Sequence, residues 1–236
     1  MPNNEHTSKQ FDADLEDIRS RVLQMGGVVE MQLTAAIEGL TTGEEEIITR
    51  VIETERRVNN YEKEIDDACV HVVARRQPAA SDLRLIMAVS KIVTDLERMG
   101  DEAEKIARMA RSIYARGAPS IPRSIDIRQT GIKAAVILRH VLDALARLDT
   151  TEAEKIIAEG KSIDNDFRAI LRQLITYMME DPRTITTALD IVWIAKSIER
   201  VGDHAENIAE QVIYIVDGID IRHTGSPPVT AAGENI

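Results

Sequence analysis

The sequence has few of the residues that form tight turns or disulfides, and no run long enough for a membrane span. Its one cysteine, Cys69, excludes an internal disulfide and a cysteine-rich zinc site. It contains 12 glycines and 7 prolines in 236 residues, whereas average usage would give roughly 28 in total. No apolar run approaches the ~20 residues that a membrane helix requires, and the first residues are polar. The scarcity of glycine and proline excludes an all-β or collagen-like chain. The lack of a long apolar run and the polar first residues predict a cytoplasmic protein without direct membrane insertion.

Aromatic and basic residues are also scarce. There are 1 Trp, 4 Tyr and 2 Phe, and 29 basic residues stand against 40 acidic ones, for a net charge of −11. Binders of single-stranded nucleic acid need aromatic stacking platforms, and a phosphate backbone repels an acidic surface. Nucleic acid is therefore not an expected partner.

Hydrophobic periodicity is the strongest positive signal. From Leu85 to Ile113 the apolar positions alternate steps of four and three residues, which is typical of a long amphipathic helix. A second apolar stripe beside this seam predicts that the helix packs against at least two neighbours. Four further stretches have the same pattern and a sixth begins near Thr184, so the sequence predicts an all-α protein of six helices.

The chain contains an internal repeat. With an offset of 102, residues 94–107 align with residues 196–209, and 8 of the 14 positions are identical. The fold class predicted is all-α, with two tandem three-helix bundles related by this repeat. We place the first repeat at residues 1–117, a Gly-Pro linker at 118–123, the second repeat at 124–218 and a flexible tail at 219–236.

Each repeat carries one Glu-Arg-x-Gly-Asp motif, which pairs Glu97 with Asp101 and Glu199 with Asp203. Residues four apart share a helical face, and like charges at this spacing cost the helix a few tenths of a kcal/mol. Carboxylates without thiolates or paired histidines suit hard cations such as Mg²⁺, Ca²⁺, Mn²⁺ or iron. A solvated polar face is the alternative interpretation, because two carboxylates are fewer than the ligands that such ions take.

The glycines inside these motifs call for a separate explanation. Gly100 and Gly202 fall on the second apolar stripe, in helix interiors where glycine costs about 1 kcal/mol relative to alanine. We expect a close helix–helix contact at each position.

The two motifs, together with residues 74–84 and 172–181, resemble the PhoU family of phosphate-specific transport accessory proteins. The similarity spans about residues 11–223. It implies two similar three-helix bundles and a negative regulator of phosphate uptake and of the phosphate starvation response. It also implies an adaptor between the ATPase subunit of a phosphate ABC transporter and a phosphate-sensing membrane histidine kinase.

The resemblance further implies metal ligands, with an ion that differs among members, so Mg, Mn, Ca, Fe and Zn remain open. The candidate ligands are Glu97, Asp101, Glu199 and Asp203, with Asn59 and Asp164 on the preceding helices. Lys105, four residues after Asp101, is replaced by Asn207 in the second repeat. Because a nearby cation competes with a metal, we expect the second site to be the better one.

Three classes of function compete. A regulatory adaptor without catalytic turnover accounts for both the helical seams and the repeated acidic pairs. A metal-dependent hydrolase and a purely structural bundle are the alternatives. We expect a homodimer, the commonest homo-oligomer, and contact with the inner membrane only through the partners.

Overall fold

The computed structural model describes residues 5–117 and 126–221, and these ranges contain six α-helices and no strand. The helices are α1 (Glu5–Thr42), α2 (Glu45–Arg76), α3 (Ala80–Ala115), α4 (Ile127–Arg147), α5 (Thr150–Glu180) and α6 (Ile185–Asp217). A 3-10 turn at Pro182–Thr184 leads into α6. The all-α prediction is confirmed. The predicted linker at 118–123, and the predicted tail beyond residue 221, lie outside the described residues.

Short polar turns end and restart the helices. The side chain of Asp126 accepts a hydrogen bond from the backbone of Gln129 at the start of α4, and Asp149 does the same for Glu152 at the start of α5. These contacts satisfy amide groups that have no partner inside the helix. Gly218 ends α6 with a φ of 72°, a left-handed conformation that glycine adopts without a Cβ penalty.

Helix α3 lies at the centre of the molecule. It packs against α1 and α2 of its own repeat and against α6 of the other, as the widened apolar face predicts. The seam residues Ile92, Leu96 and Met99 are fully buried. Helix α6 occupies the matching position in the second repeat, where Ile194, Ile198 and Val201 are fully buried.

The two repeats pack with α3 antiparallel to α6. Arg200 donates to Glu102 at 3.1 Å, and further along the pair Arg116 contacts Asp190. Residue numbers thus rise on one helix as they fall on the other. The repeats form one continuous core, and residues of the two motif helices face each other across it.

Buried polar contacts fix this interface. Oδ1 of Asp95 lies 2.8 Å from Nδ1 of His204 and accepts from the amide of Asn207 at 3.1 Å. At the repeat-related place, Glu102 accepts from Lys105 at 3.0 Å and from Arg200. Both buried carboxylates therefore belong to α3 of the first repeat, and the second repeat contributes His204, Asn207 and Arg200 to the contact.

Candidate metal centres

The first centre joins α2 to α3. Glu97 and Asp101 lie one turn apart on α3, as predicted, and Glu55 of α2 reaches the same place. Each of the three residues offers a carboxylate oxygen within 4.8 Å of the others. Three oxygen donors at this separation suit one hard divalent cation.

Glu55 is buried and lacks a full set of partners. Its side chain is 6% exposed, and Oε2 accepts from Nε2 of Gln32 at 3.0 Å. Oε1 is buried with no hydrogen-bond partner among the described residues. Burial, aided by neighbouring carboxylates of which Asp101 is the foremost, raises the pKa of Glu55 to about 7, although the Gln32 hydrogen bond lowers it. A buried carboxylate in this state takes up either a proton or a cation.

The missing side chain of Gly100 leaves the space that the carboxylate of Glu55 occupies. A Cβ at Gly100 would lie 2.9 Å from Oε2 of Glu55 and 3.1 Å from Cγ1 of Val58. The close helix contact predicted at this glycine is confirmed, and it has a second consequence. The missing side chain opens the space through which a residue of α2 reaches the acidic pair on α3.

Negative charge predominates around the first centre, and Arg98 and Lys105 offset only part of it. Partial burial, then Asp101 and Glu62, raise the pKa of Glu97. The predicted ligand Asn59 lies one turn after Glu55 on α2 and is half-buried. Lys105, the expected competitor, donates instead to Glu102. The centre therefore has excess negative charge that a bound cation would neutralise.

The second centre lies on the matching faces of α5 and α6. Glu199 is 8% exposed and forms an ion pair with Lys196, one turn earlier on α6. The Lys196 ammonium also lies 5.4 Å from the centre of the Phe167 ring. Asp203 is exposed beside them, and Asp164 approaches Arg168 at 3.7 Å. Two of the three carboxylates predicted for this centre, Glu199 and Asp164, thus already face a basic group.

A further carboxylate, Glu206, reaches the second centre from α6. A Cβ at Gly160 of α5 would overlap its carboxylate. Burial, then Asp203 and Asp164, raise the pKa of Glu206 to about 7. With α2 aligned on α5 at an offset of 105, Gly160 occupies the position of Glu55. The carboxylate that fits against a glycine of the neighbouring helix therefore comes from α2 in the first repeat and from α6 in the second.

Sequence patterns missed Glu55, although a signal was present. The apolar seam of α2 steps from Val51 directly to Val58, and that of α5 from Ile156 to Ile163. Glu55 and Gly160 fill the skipped seam positions. A charged residue at a core position, opposite a glycine on the next helix, is the pattern to search for.

Both centres flank one groove between α3 and α6. Asp101 and Asp203 line it together with Arg98, Lys105, Arg200 and His204. The two acidic centres thus open onto the same face of the molecule, with basic residues between them. A partner that contacts this face would meet both centres at once.

The chain matches the PhoU domain twice, over residues 22–110 and 127–212. The chain belongs to the PhoU family. The PhoU homolog of Pseudomonas aeruginosa, named a phosphate-specific transport system accessory protein, is 46% identical over 231 residues, which cover 98% of this chain and 95% of that protein. PhoU of Escherichia coli K12, under the same name, is 46% identical over 222 residues, covering 94% of this chain and 91% of that protein.

Solved structures of PhoU have the same architecture. The crystal structure of PhoU from Pseudomonas aeruginosa superposes with a TM-score of 0.85 and covers 89% of this chain and 100% of that one. The predicted tandem three-helix arrangement is therefore confirmed, as is the resemblance to PhoU. Within the described ranges, no helix is long and apolar enough to cross a membrane.

Proposed function

We propose that this protein is a negative regulator of phosphate uptake and of the phosphate starvation response. It acts in the cytoplasm as an adaptor between the ATPase subunit of a phosphate ABC transporter and a phosphate-sensing histidine kinase. The observation that carries the proposal is near full-length similarity to accessory proteins of phosphate transport. The shared groove between the repeats supports it by offering one recognition face.

The carboxylate centres supply a metal-responsive part of that face. Glu97, Asp101 and Asn59, with Glu55, are the ligands of the first centre, and Glu199, Asp203 and Asp164 are those of the second. Mg, Mn, Ca, Fe and Zn all remain candidate ions. When bound, the ion neutralises the clustered acids and tethers two helices of one repeat. The residues fit this role because they are oxygen donors, and because one buried oxygen of Glu55 has no hydrogen-bond partner in the part of the chain that the structure describes.

Regulation by contact is favoured over catalysis. The relatives are named accessory proteins of transport. The groove places Arg98 and Arg200 between the acidic centres, so a protein surface with both charge signs is complementary to it. The alternative, a metal-dependent hydrolase, predicts metal-stimulated release of phosphate from a phosphomonoester by the purified protein. A purely structural bundle predicts neither hydrolysis nor a regulatory phenotype.

The repeats are proposed as the working units of the adaptor, with residues 1–117 and 124–218 joined by the linker at 118–123. We also propose a homodimer, which would present two copies of the groove. Sedimentation equilibrium of the full chain measures that state directly. A monomer at all concentrations would remove the dimer from the account without touching the regulatory role.

Deletion of the gene tests the function. In phosphate-rich medium the deletion strain is expected to produce high alkaline phosphatase and to take up phosphate without restraint, and the wild-type gene is expected to restore repression. Alkaline phosphatase that stays low in the deletion strain would contradict the regulatory role.

A further inference from the structure

The two centres differ at two matched positions. At the offset of 102 that relates α3 to α6, Thr94 of the first repeat corresponds to Lys196 of the second. At the offset of 105 that relates α2 to α5, Glu62 corresponds to Phe167. The first repeat therefore has an acid and a hydroxyl where the second has an aromatic ring and a cation.

Lys196 is held inside the second centre from two sides. Its ammonium forms an ion pair with the buried carboxylate of Glu199, and the Phe167 ring lies 5.4 Å away. A cation over an aromatic face and a charge-assisted contact to a carboxylate are both attractive, and burial strengthens each. The side chain of Lys196 is 36% exposed, so most of it is removed from water.

The first centre has no cation at the position that corresponds to Lys196, although the charges of Arg98 and Lys105 act on Glu97. The hydroxyl of Thr94 donates to the backbone oxygen of Ser90 at 3.0 Å and contributes no charge. Glu62 adds a further acid, which together with Asp101 raises the pKa of Glu97. Oε1 of Glu55 remains buried without a partner among the described residues.

We infer that the two centres are not equal metal sites: the first binds a divalent cation, whereas the second is filled by the ammonium of Lys196 acting as an internal cation. The inference rests on the metal sites of the proposed function and goes beyond them by ranking the centres. The sequence predicted the second centre to be the better metal site, because Lys105 follows Asp101 in the first. That order is reversed, because Lys105 pairs with Glu102. A metal must break the Lys196–Glu199 pair to enter the second centre, so we expect its dissociation constant there to be at least about tenfold higher.

Titration of the full-length protein with Mn²⁺ tests this ranking. The protein is freed of metal with EDTA, and free Mn²⁺ is followed by electron paramagnetic resonance. Wild type is expected to show one tight site. Lys196→Thr, which copies the first repeat, is expected to show two, and Thr94→Lys, which copies the second, is expected to show none. Lys155→Thr is the control. Lys155 is an exposed lysine of α5 that lies outside both motifs, and this variant is expected to keep one tight site.

Two equal tight sites in wild type would overturn the inference, as would a folded Lys196→Thr protein that still binds one ion. Absence of Mn²⁺ binding from every variant would overturn it too. Lys196→Met, which retains the length of the side chain without its charge, provides a second test if the threonine variant does not fold. The number of Mn²⁺ sites is tested separately from the regulatory proposal, because alkaline phosphatase repression in cells is measured without counting bound ions.

Discussion

The carboxylate of Glu206 lies over the bare Cα of Gly160, just as the carboxylate of Glu55 lies against Gly100. In both repeats a glycine on one helix leaves room for a glutamate of the neighbouring helix. In the first repeat the glycine is on α3 and the glutamate on α2, whereas in the second the glycine is on α5 and the glutamate on α6. Each centre thus has a carboxylate packed against a glycine, although the helix that supplies it differs between the repeats. Such an exchange is invisible when positions are compared one by one.

Filling the space beside Glu55 is expected to destabilise the protein. In Gly100→Ala the new Cβ would lie 2.9 Å from Glu55 and 3.1 Å from Val58. Overpacking of this kind costs about 1–3 kcal/mol, which outweighs the gain of up to about 1 kcal/mol in helix propensity. Thermal unfolding should therefore shift down by several degrees. Gly27→Ala is the matched control, because nothing lies within 4 Å of its Cβ position; it should gain up to about 1 kcal/mol from helix propensity. Equal effects of the two changes would refute the proposed steric role of Gly100.

Stability should depend on the ionisation of Glu55. Its pKa is raised to about 7 in the folded protein from an ordinary value of 4.5, so its contribution is complete below the ordinary pKa and is lost as the pH rises through 7. Glu55→Gln stays neutral. In EDTA, its unfolding free energy relative to wild type should increase by up to about 3 kcal/mol between pH 5 and pH 8.

Urea denaturation at each pH measures this difference. Glu53→Gln, at an exposed position on the same helix, serves as the control and should follow the pH profile of wild type. A Glu55→Gln profile parallel to that of wild type would show that the buried carboxylate does not titrate as proposed.

The contact between the repeats should depend on Asp95. Asp95→Ala leaves the largely buried ring of His204 and the exposed amide of Asn207 without this acceptor, and an unsatisfied buried polar group costs about 1–3 kcal/mol. Asp95→Asn keeps one acceptor oxygen and should lose less. Asp143→Ala, at an exposed position on α4, should change stability by no more than about 0.5 kcal/mol. If Asp95→Ala is as mild as Asp143→Ala in urea denaturation, this contact is not a determinant of stability.

Bound metal should stabilise the protein through the first centre. A ligand at a hundred times its dissociation constant adds about 2.7 kcal/mol to the stability of the native state. Mn²⁺ should therefore raise the melting temperature of wild type and of the Glu199→Gln, Asp203→Asn variant. The shift should disappear in the Glu97→Gln, Asp101→Asn variant. Loss of the shift in both double variants would contradict the assignment of the metal to the first centre.

Much of the fold could be predicted from the sequence because burial in a helix repeats every three to four residues. Ile92, Leu96 and Met99 follow that pattern and are fully buried. The acidic pairs and the close contact at Gly100 followed from the same periodicity together with the repeat. These features depend on local spacing, which the sequence contains directly.

Other features depend on which helix lies opposite. Glu55 becomes part of the first centre only because Gly100 on another helix leaves room for it. Lys105 has the spacing to contact Asp101, yet it lies toward the other repeat and donates to Glu102. Lys196 has an ordinary three-residue spacing to Glu199, and the Phe167 ring completes its site from α5. Tertiary packing determines which partner each of these side chains contacts, and spacing along one helix does not.

The most direct test of the central claim is alkaline phosphatase activity in phosphate-rich medium, in a strain whose chromosomal gene carries Glu97→Gln and Asp101→Asn. A parallel strain carries the exposed changes Glu53→Gln and Asp143→Asn, and immunoblotting checks that both proteins are present at the wild-type level. We predict phosphatase activity close to that of the deletion strain for the first strain and full repression for the second. Full repression by both strains would contradict a regulatory role for the first centre.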